Sequence, residues 1–173
     1  MSPAKKRWLG PLRCAARPHI LALAEKTMNQ DQAEQFMMEA IKEGRKALGK
    51  SKPNPPVGCV LVKDGKIISK GHTSEPGQPH AEAMALNKLQ GKLDDVVAFV
   101  TLEPCSFHGR TPSCAQELVK RGVQQVYVGI IDPHPMNQGA GIEILTKAGI
   151  SVRLGLLEKE IKSELEPHLI SHS

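Results

Sequence analysis

The sequence has few aromatic residues and no long apolar run. Its 173 residues include one Trp, one Tyr and three Phe, which together make up 3%. Proteins that bind single-stranded nucleic acid commonly stack bases on aromatic side chains, and this composition offers few of them. No apolar stretch approaches the ~20 residues that a membrane-spanning helix requires. The composition therefore favours neither a nucleic-acid-binding protein nor a membrane protein.

Acidic residues are absent before Glu25, whereas basic residues are frequent there. The formal net charge of +5 comes largely from positions before Met28, and the rest of the chain is close to neutral. Residues 1–27 lack sustained apolar periodicity, which predicts a basic, disordered extension, with organelle targeting as an alternative for an otherwise cytoplasmic protein. A start of translation at Met28 is equally compatible with this pattern. We predict a single domain over residues 28–173.

Four cysteines without a secretory signal favour a reducing compartment, where cysteine pairs are more often metal ligands or catalytic groups than disulfides. Cys59 alternates within an apolar strand pattern and is predicted to lie in the core. Cys14 precedes the predicted domain. Cys105 and Cys114 are therefore the candidate metal ligands.

The apolar periodicity predicts an α/β fold. Helices are predicted over residues 29–48, 80–89, 112–121, 141–148 and 158–169, and strands over 57–62, 66–70, 96–102, 124–131 and 150–154. Asp64 and Gly65 form a hairpin signal between the first two strands, because both turn positions need positive φ. Later strands alternate with helices, which favours parallel pairing. We expect one mixed five-stranded sheet with helices on both faces.

Three residues form a candidate zinc site. His80 and the fragment that contains Cys105 and Cys114 lie at predicted helix starts, where free N–H groups favour thiolate over thiol. Structural zinc sites usually close with a fourth protein ligand, whereas three ligands leave a position for water. One imidazole and two thiolates therefore predict a catalytic zinc site.

Glu82 follows His80 by two positions, so on a regular helix the two side chains diverge by roughly 200°. They cannot both be ordinary ligands from one helical face. His80-Ala81-Glu82, followed by Pro104-Cys105, resembles the signature of zinc deaminases, in which the glutamate is the general acid and base. The resemblance implies that Glu82 takes a proton from the attacking water and returns it to the departing ammonia.

The step from Cys105 to Cys114 is longer than the CxxC of most zinc deaminases. The segment TLEPCSFHGRTPSC, from Thr101, resembles the motif TLEPCSHxGRTPPC of the pyrimidine deaminases of riboflavin biosynthesis. Further similar segments are PNPPVGCVLVKDG from Pro53, GQPHAEAMAL from Gly77, and IDPHP with GAGIEILTKAGISV from Ile131. The resemblance covers about residues 30–160 and implies a three-layer α/β/α cytidine deaminase-like fold.

This resemblance also implies a reaction: zinc-dependent deamination of diaminohydroxyphosphoribosylaminopyrimidine to the corresponding uracil derivative and ammonia. It places Asn54, His72 and Asp132 at substrate-contacting positions. Arg110 matches a position near the substrate's phosphate, where a guanidinium fork suits phosphate oxygens. We expect a homo-oligomer, and a reductase supplied by another protein because the chain stops at Ser173.

Two of the substitutions relative to the family motifs lie at positions that are expected to face the substrate. Phe107 replaces the usual His, and His134 replaces the Asn of the family's DPNP loop. Either His108 compensates for the lost imidazole after a small loop shift, or the enzyme deaminates a different aminopyrimidine, nucleoside or nucleic-acid base. His108 and His134 are therefore also candidate substrate contacts. A non-catalytic zinc module is the third alternative, and the presence of Glu82 argues against it.

Overall fold

The computed structural model describes residues 28–109 and 112–169. The first half contains α1 (Gln30–Arg45), β1 (Gly58–Lys63), β2 (Lys66–His72), α2 (Ala81–Asn87) and β3 (Val96–Leu102). The second half contains α3 (Cys114–Arg121), β4 (Gln125–Ile130), α4 (Ala140–Lys147), β5 (Ser151–Leu154), α5 (Glu158–Leu165) and a 3₁₀ turn (Glu166–His168). The predictions for residues 1–27 lie outside the described ranges. Within those ranges, no helix has the length and apolarity to cross a membrane.

The five strands form one sheet in the order β2-β1-β3-β4-β5. Strand β1 is antiparallel to both β2 and β3, whereas β3, β4 and β5 are parallel to one another. The β1–β2 turn contains Asp64 at φ 50° and Gly65 at φ 72°, as the hairpin signal predicted. The predicted mixed sheet is therefore confirmed.

Helices α1 and α5 end three and four residues, respectively, before their predicted C-terminal bounds. The side chain of Asn29 caps α1 by accepting a hydrogen bond from the Gln32 N–H at 2.8 Å. Helix α1 ends at Arg45, before the predicted end at Leu48, and α5 ends at Leu165. Pro167, which has no N–H to donate, restricts the continuation of α5 to a 3₁₀ turn.

Close backbone contacts place α1 and α2 on opposite faces of the sheet. A Cβ atom on Gly58 would lie 1.8 Å from the carbonyl oxygen of Ala40 in α1, and one on Gly71 would lie 2.1 Å from that of Ala81 in α2. Gly71 pairs with Cys59, the residue after Gly58 in β1. Successive residues of a strand point to opposite faces, so the two helices cover different sides.

The remaining helices complete the two outer layers. Helix α5 joins α1 through an ion pair in which Arg45 Nη2 lies 2.5 Å from Glu164 Oε1. Helix α3 contacts both α2 and α4, and these three helices cover the second face. The predicted three-layer α/β/α fold is confirmed.

The core contains most of the described aromatic side chains. The ring of Phe99 stacks on that of Tyr127, with centroids 4.7 Å apart, and also contacts Phe36. Cys59 is fully buried in β1, as predicted. Phe107 is the one described aromatic residue outside this cluster, and it lies in the loop that follows β3.

Gly71→Ala is expected to lower the free energy of unfolding by about 1–3 kcal/mol, the usual cost of overpacking. The new methyl group would meet backbone atoms of α2, at Ala81 and Ala85, so the helix itself would have to move. Urea denaturation measures the effect. Gly109→Ala is the control, because no described atom lies within 4 Å of its Cβ position. Equal stability of the two variants would contradict the close α2–β2 contact.

Candidate metal centre and active-site cavity

Three side chains from separate segments meet at one edge of the sheet. His80 precedes α2 as its N-cap residue, Cys105 follows β3, and Cys114 is the first residue of α3. The Nδ1 atom of His80 lies 3.7 Å from Cys105 Sγ and 3.5 Å from Cys114 Sγ. The three potential ligand atoms all lie within 4.8 Å of one another.

These distances fit a tetrahedral metal ion. Zinc bonds of about 2.3 Å to sulfur and about 2.0–2.1 Å to nitrogen place the two ligand atoms about 3.6 Å apart. The observed N···S distances of 3.5 and 3.7 Å agree with that value. Among the described residues the group contains one histidine and two cysteines but no fourth ligand. The arrangement therefore leaves one tetrahedral position for a non-protein ligand.

The two thiols differ in acidity. Hydrogen bonds from the Cys114 thiol, His80 and the Cys114 backbone N–H lower the pKa of Cys105 to about 5. The same contact with Cys105, together with burial, raises the pKa of Cys114 well above its ordinary value. Cys105 itself lies in a loop, yet it accepts the Cys114 N–H at the start of α3 at 3.2 Å. The start of α3 thus stabilises thiolate at Cys105, the effect expected from a helix start.

Glu82 lies in the first turn of α2 beside these ligands, with 4% of its surface exposed. Burial, with a further contribution from the charge of Cys105, raises the pKa of Glu82 to about 7. Glu82 is not part of the three-residue ligand group, but it lines the same cavity as His80 and Cys105. A carboxyl group with a pKa near neutrality can both take up and release a proton.

His80 and Cys105 line a cavity of about 210 Å³, formed by loops at the carboxyl ends of β3 and β4, the segment before β1 and the start of α2. Its polar wall includes Asn54, Thr73, His80, Glu82, Asp132 and His134. A second cavity of about 430 Å³ adjoins it and shares Asn54, His80, Cys105 and Phe107 as lining residues. Together the two spaces reach the range of ordinary ligand clefts, roughly 300–1,000 Å³.

Three of the predicted substrate contacts line the smaller cavity. Asn54 is held there because Thr73 Oγ1 donates to the Pro55 carbonyl at 2.9 Å, which ties down the loop before β1. His134 contacts Phe107, with ring centroids 5.7 Å apart. The carboxylate of Asp132 accepts the His134 N–H at 2.9 Å, so it also stabilises its own loop.

The structure does not bring the other predicted contacts into the lining. His72 lies on the α1 face of the sheet, where its Nδ1 atom is 2.9 Å from Glu43 Oε1. His108 is exposed and lines neither cavity. Arg110 lies outside the described residues. Substrate contacts by these three residues stay predictions without structural support.

Sequence reasoning missed Glu103, which is 3% exposed. Its carboxylate accepts four backbone N–H groups, those of Asp132, Gly139, Gly141 and Ile142, at 2.9–3.3 Å. It thereby joins the end of β3 to the loop between β4 and α4. The available signal was an acidic residue at the end of a predicted buried strand, followed along the chain by a glycine-rich helix start.

The structure combines a three-layer α/β fold, a His-Cys-Cys group and a buried glutamate at one cavity. This combination defines a metalloprotein of the zinc deaminase class. The chain belongs to the family described as cytidine and deoxycytidylate deaminases, whose zinc-binding region matches residues 30–130.

Three relatives show the likeness. The chain is 42% identical over 153 residues to the chloroplastic riboflavin biosynthesis protein PYRD of Zea mays, covering 85% of this chain and 39% of that protein. It is 44% identical over 129 residues to riboflavin biosynthesis protein RibD of Escherichia coli (strain K12), covering 75% and 35%. The crystal structure of the Thermotoga maritima diaminohydroxyphosphoribosylaminopyrimidine deaminase/5-amino-6-(5-phosphoribosylamino)uracil reductase has a TM-score of 0.76 and 42% identity, covering 79% and 40%. The chain thus spans well under half the length of these relatives.

The purified protein should contain about one metal ion per chain, and Cys114→Ser should lose most of it. Loss of a direct ligand should weaken affinity by more than the 10–100-fold that outer-shell changes typically cost. Elemental analysis after dialysis against a chelator measures this. Cys59→Ala is the matched control, because Cys59 is a buried cysteine outside the ligand group. Similar metal contents in both variants would rule out the assigned ligand set.

Proposed function

We propose that this chain is a zinc-dependent hydrolytic deaminase that converts diaminohydroxyphosphoribosylaminopyrimidine to the corresponding aminouracil nucleotide and ammonia in riboflavin biosynthesis. The main support is the buried carboxyl group of Glu82 beside the three-ligand group at the cavity. The printed names of the relatives agree: the Zea mays and Escherichia coli proteins are riboflavin biosynthesis proteins, and the Thermotoga maritima name contains this deaminase activity.

The reaction forms a C–O bond and breaks a C–N bond at the amine-bearing ring carbon, with water as the co-substrate. Zinc held by His80, Cys105 and Cys114 would supply Lewis acidity that lowers the pKa of the attacking water. Glu82 accepts the proton from that water and donates it to the departing amine, so that ammonia leaves. A pKa of about 7 suits both transfers, because the group is neither fully protonated nor fully ionised near neutral pH.

The two adjoining cavities suit a substrate with two parts. Glu82 lines only the smaller cavity, so the reacting ring belongs there, and the phosphoribosyl group then extends into the larger one. Asn54 lines both cavities, and its side-chain amide forms no hydrogen bond with the described part of the chain. It offers a donor and an acceptor to the polar edge of the ring. The phosphate contact of Arg110 stays a prediction, because Arg110 lies outside the described residues.

A second candidate function is deamination of a related heterocycle. The specific observation is the Phe107–His134 pair, which lines the cavity at two of the positions where the sequence departs from the family motifs. The Nδ1 atom of His134 accepts the Met136 N–H at 3.2 Å, so in the neutral ring Nε2 carries the proton. This wall therefore combines an apolar ring with an imidazole, two groups that the family motifs do not have at these positions.

The predicted partners stay proposals. The Thermotoga maritima name pairs this deamination with a reduction, so we propose that a reductase activity consumes the product. We also propose that the chain assembles into a homo-oligomer and acts in the cytoplasm, with an organelle as the alternative.

The direct test incubates the zinc-loaded chain with diaminohydroxyphosphoribosylaminopyrimidine and, in parallel, with cytidine and dCMP, and measures ammonia. Stoichiometric release from the first compound alone supports the leading proposal. Release from another amine-bearing ring alone supports the second candidate. No release from any compound, with zinc content verified, would contradict both and favour the non-catalytic module.

Glu82→Gln should lower kcat by about 10²–10⁴-fold, because general acid and base catalysis contributes roughly that factor. The metal content should stay unchanged, since Glu82 is not in the ligand group. Ammonia release and elemental analysis on the same preparation separate the two effects. Glu117→Gln in α3 is the charge-matched control, and retained activity in Glu82→Gln would remove Glu82 from the mechanism.

Phe107→Ala should raise KM by about 2–12-fold with little change in kcat, because an aromatic contact contributes roughly 0.5–1.5 kcal/mol and the ring transfers no proton. Steady-state kinetics on the confirmed substrate measure both constants. Phe36→Ala, which removes a ring from the core cluster, is the control: it should change stability and not KM. A fall in kcat alone for Phe107→Ala would be incompatible with a purely binding role.

A further inference from the structure

The side chain of Asn137 contacts both peptide groups that flank Cys105. Its Oδ1 atom accepts the Ser106 N–H at 3.0 Å, and its Nδ2 atom donates to the Pro104 carbonyl at 3.4 Å. Asn137 lies in the loop between β4 and α4 and is only 2% exposed. Because the amide is buried, water does not readily replace it. Without the amide, the Ser106 N–H and the Pro104 carbonyl would each lose a hydrogen-bond partner.

The same amide extends to the cavity wall. Its Nδ2 atom also donates to Asp132 Oδ2 at 3.2 Å, while Asp132 Oδ1 accepts the His134 N–H. Ser106 Oγ donates to the Met136 carbonyl at 3.1 Å, a second link between the two loops. Asn137 therefore connects the loop of a metal ligand with the loop of two cavity-lining residues.

Cys105 is held from its other side by α3. Its carbonyl oxygen accepts the Ser113 hydroxyl at 2.8 Å and the Ala115 N–H at 3.1 Å. Together with the Cys114 N–H on its sulfur, these bonds orient the carbonyl and thiol groups. The bonds from Asn137 fix the peptide groups before and after Cys105. Loss of these bonds, or of the bonds from the start of α3, would leave the orientation of the Cys105 sulfur less restricted.

We propose that Asn137 is a positioning residue: it directs the Cys105 sulfur towards the metal and couples the metal site to the wall that contains Asp132 and His134. The metal part of this inference needs only a metal-binding site. The coupling to substrate rests on the proposed function. Outer-shell partners of metal ligands are typically worth about 10–100-fold in metal affinity, and this is the expected scale.

The test uses the full chain with Asn137→Ala. Chelator competition should show metal affinity weakened by about 10–100-fold. With Co²⁺ in place of zinc, the thiolate-to-cobalt absorption should shift, because the Cys105 sulfur is reoriented. On the active enzyme KM should also rise. The control is Ser69→Ala, which removes a buried hydrogen bond to the Ala85 carbonyl and should change stability only, because neither residue lines either cavity.

Asn137→Ser is the second variant if the alanine variant fails to fold. Its shorter hydroxyl side chain cannot bond all three partners of the amide at once, and the loss of metal affinity should be smaller than in the alanine variant. Wild-type metal affinity and an unchanged cobalt spectrum in a folded Asn137 variant would overturn the proposal. Because both measurements need no turnover, that result is distinct from failure of the proposed reaction.

Discussion

The direction of the Cys105 sulfur is the constraint on which the site depends. Cys105 lies in a loop, where no helix or strand holds the backbone, yet tetrahedral coordination leaves little freedom for its Sγ atom. Hydrogen bonds from α3 and from Asn137 replace that missing regular structure. They also bring the cavity-lining residues Asp132 and His134 into a fixed relation with the ligands. The candidate metal ligands and this part of the cavity wall therefore share one polar network.

Two buried glutamates near this network show how environment separates their roles. Glu103 accepts four backbone N–H groups, so its carboxylate is compensated and serves to join two loops. Glu82 lies within the same cavity wall, but burial and the Cys105 charge raise its pKa to about 7. The carboxylate of Glu103 therefore has a structural role. That of Glu82 can take up and release a proton near neutral pH, which is the property that hydrolytic deamination requires.

Much of the fold could be predicted because its signals are local. Apolar periodicity and the Asp64-Gly65 turn depend on neighbouring residues, and they predicted the five strands, the first hairpin and the parallel pairing of the later strands. The ends of α1 and α5 were less well predicted, since helix ends depend on capping and on Pro167 as well as on periodicity. His72 shows a different limit. Its chemistry suits substrate recognition, but the β1–β2 register turns it to the face where Glu43 lies.

The sequence by itself determined which residues can bind the metal and move the proton, because imidazole, thiol and carboxyl groups at helix starts have this chemistry wherever the chain goes. Only the tertiary structure decided which side chains share the cavity. Asn137 is 31 residues from Ser106, and Glu103 is 38 from Gly141. Contacts over such separations depend on strand register and on the packing of whole helices, which no local pattern encodes. For that reason the sequence predicted the ligands, while Glu103 and Asn137 became visible only in the folded chain.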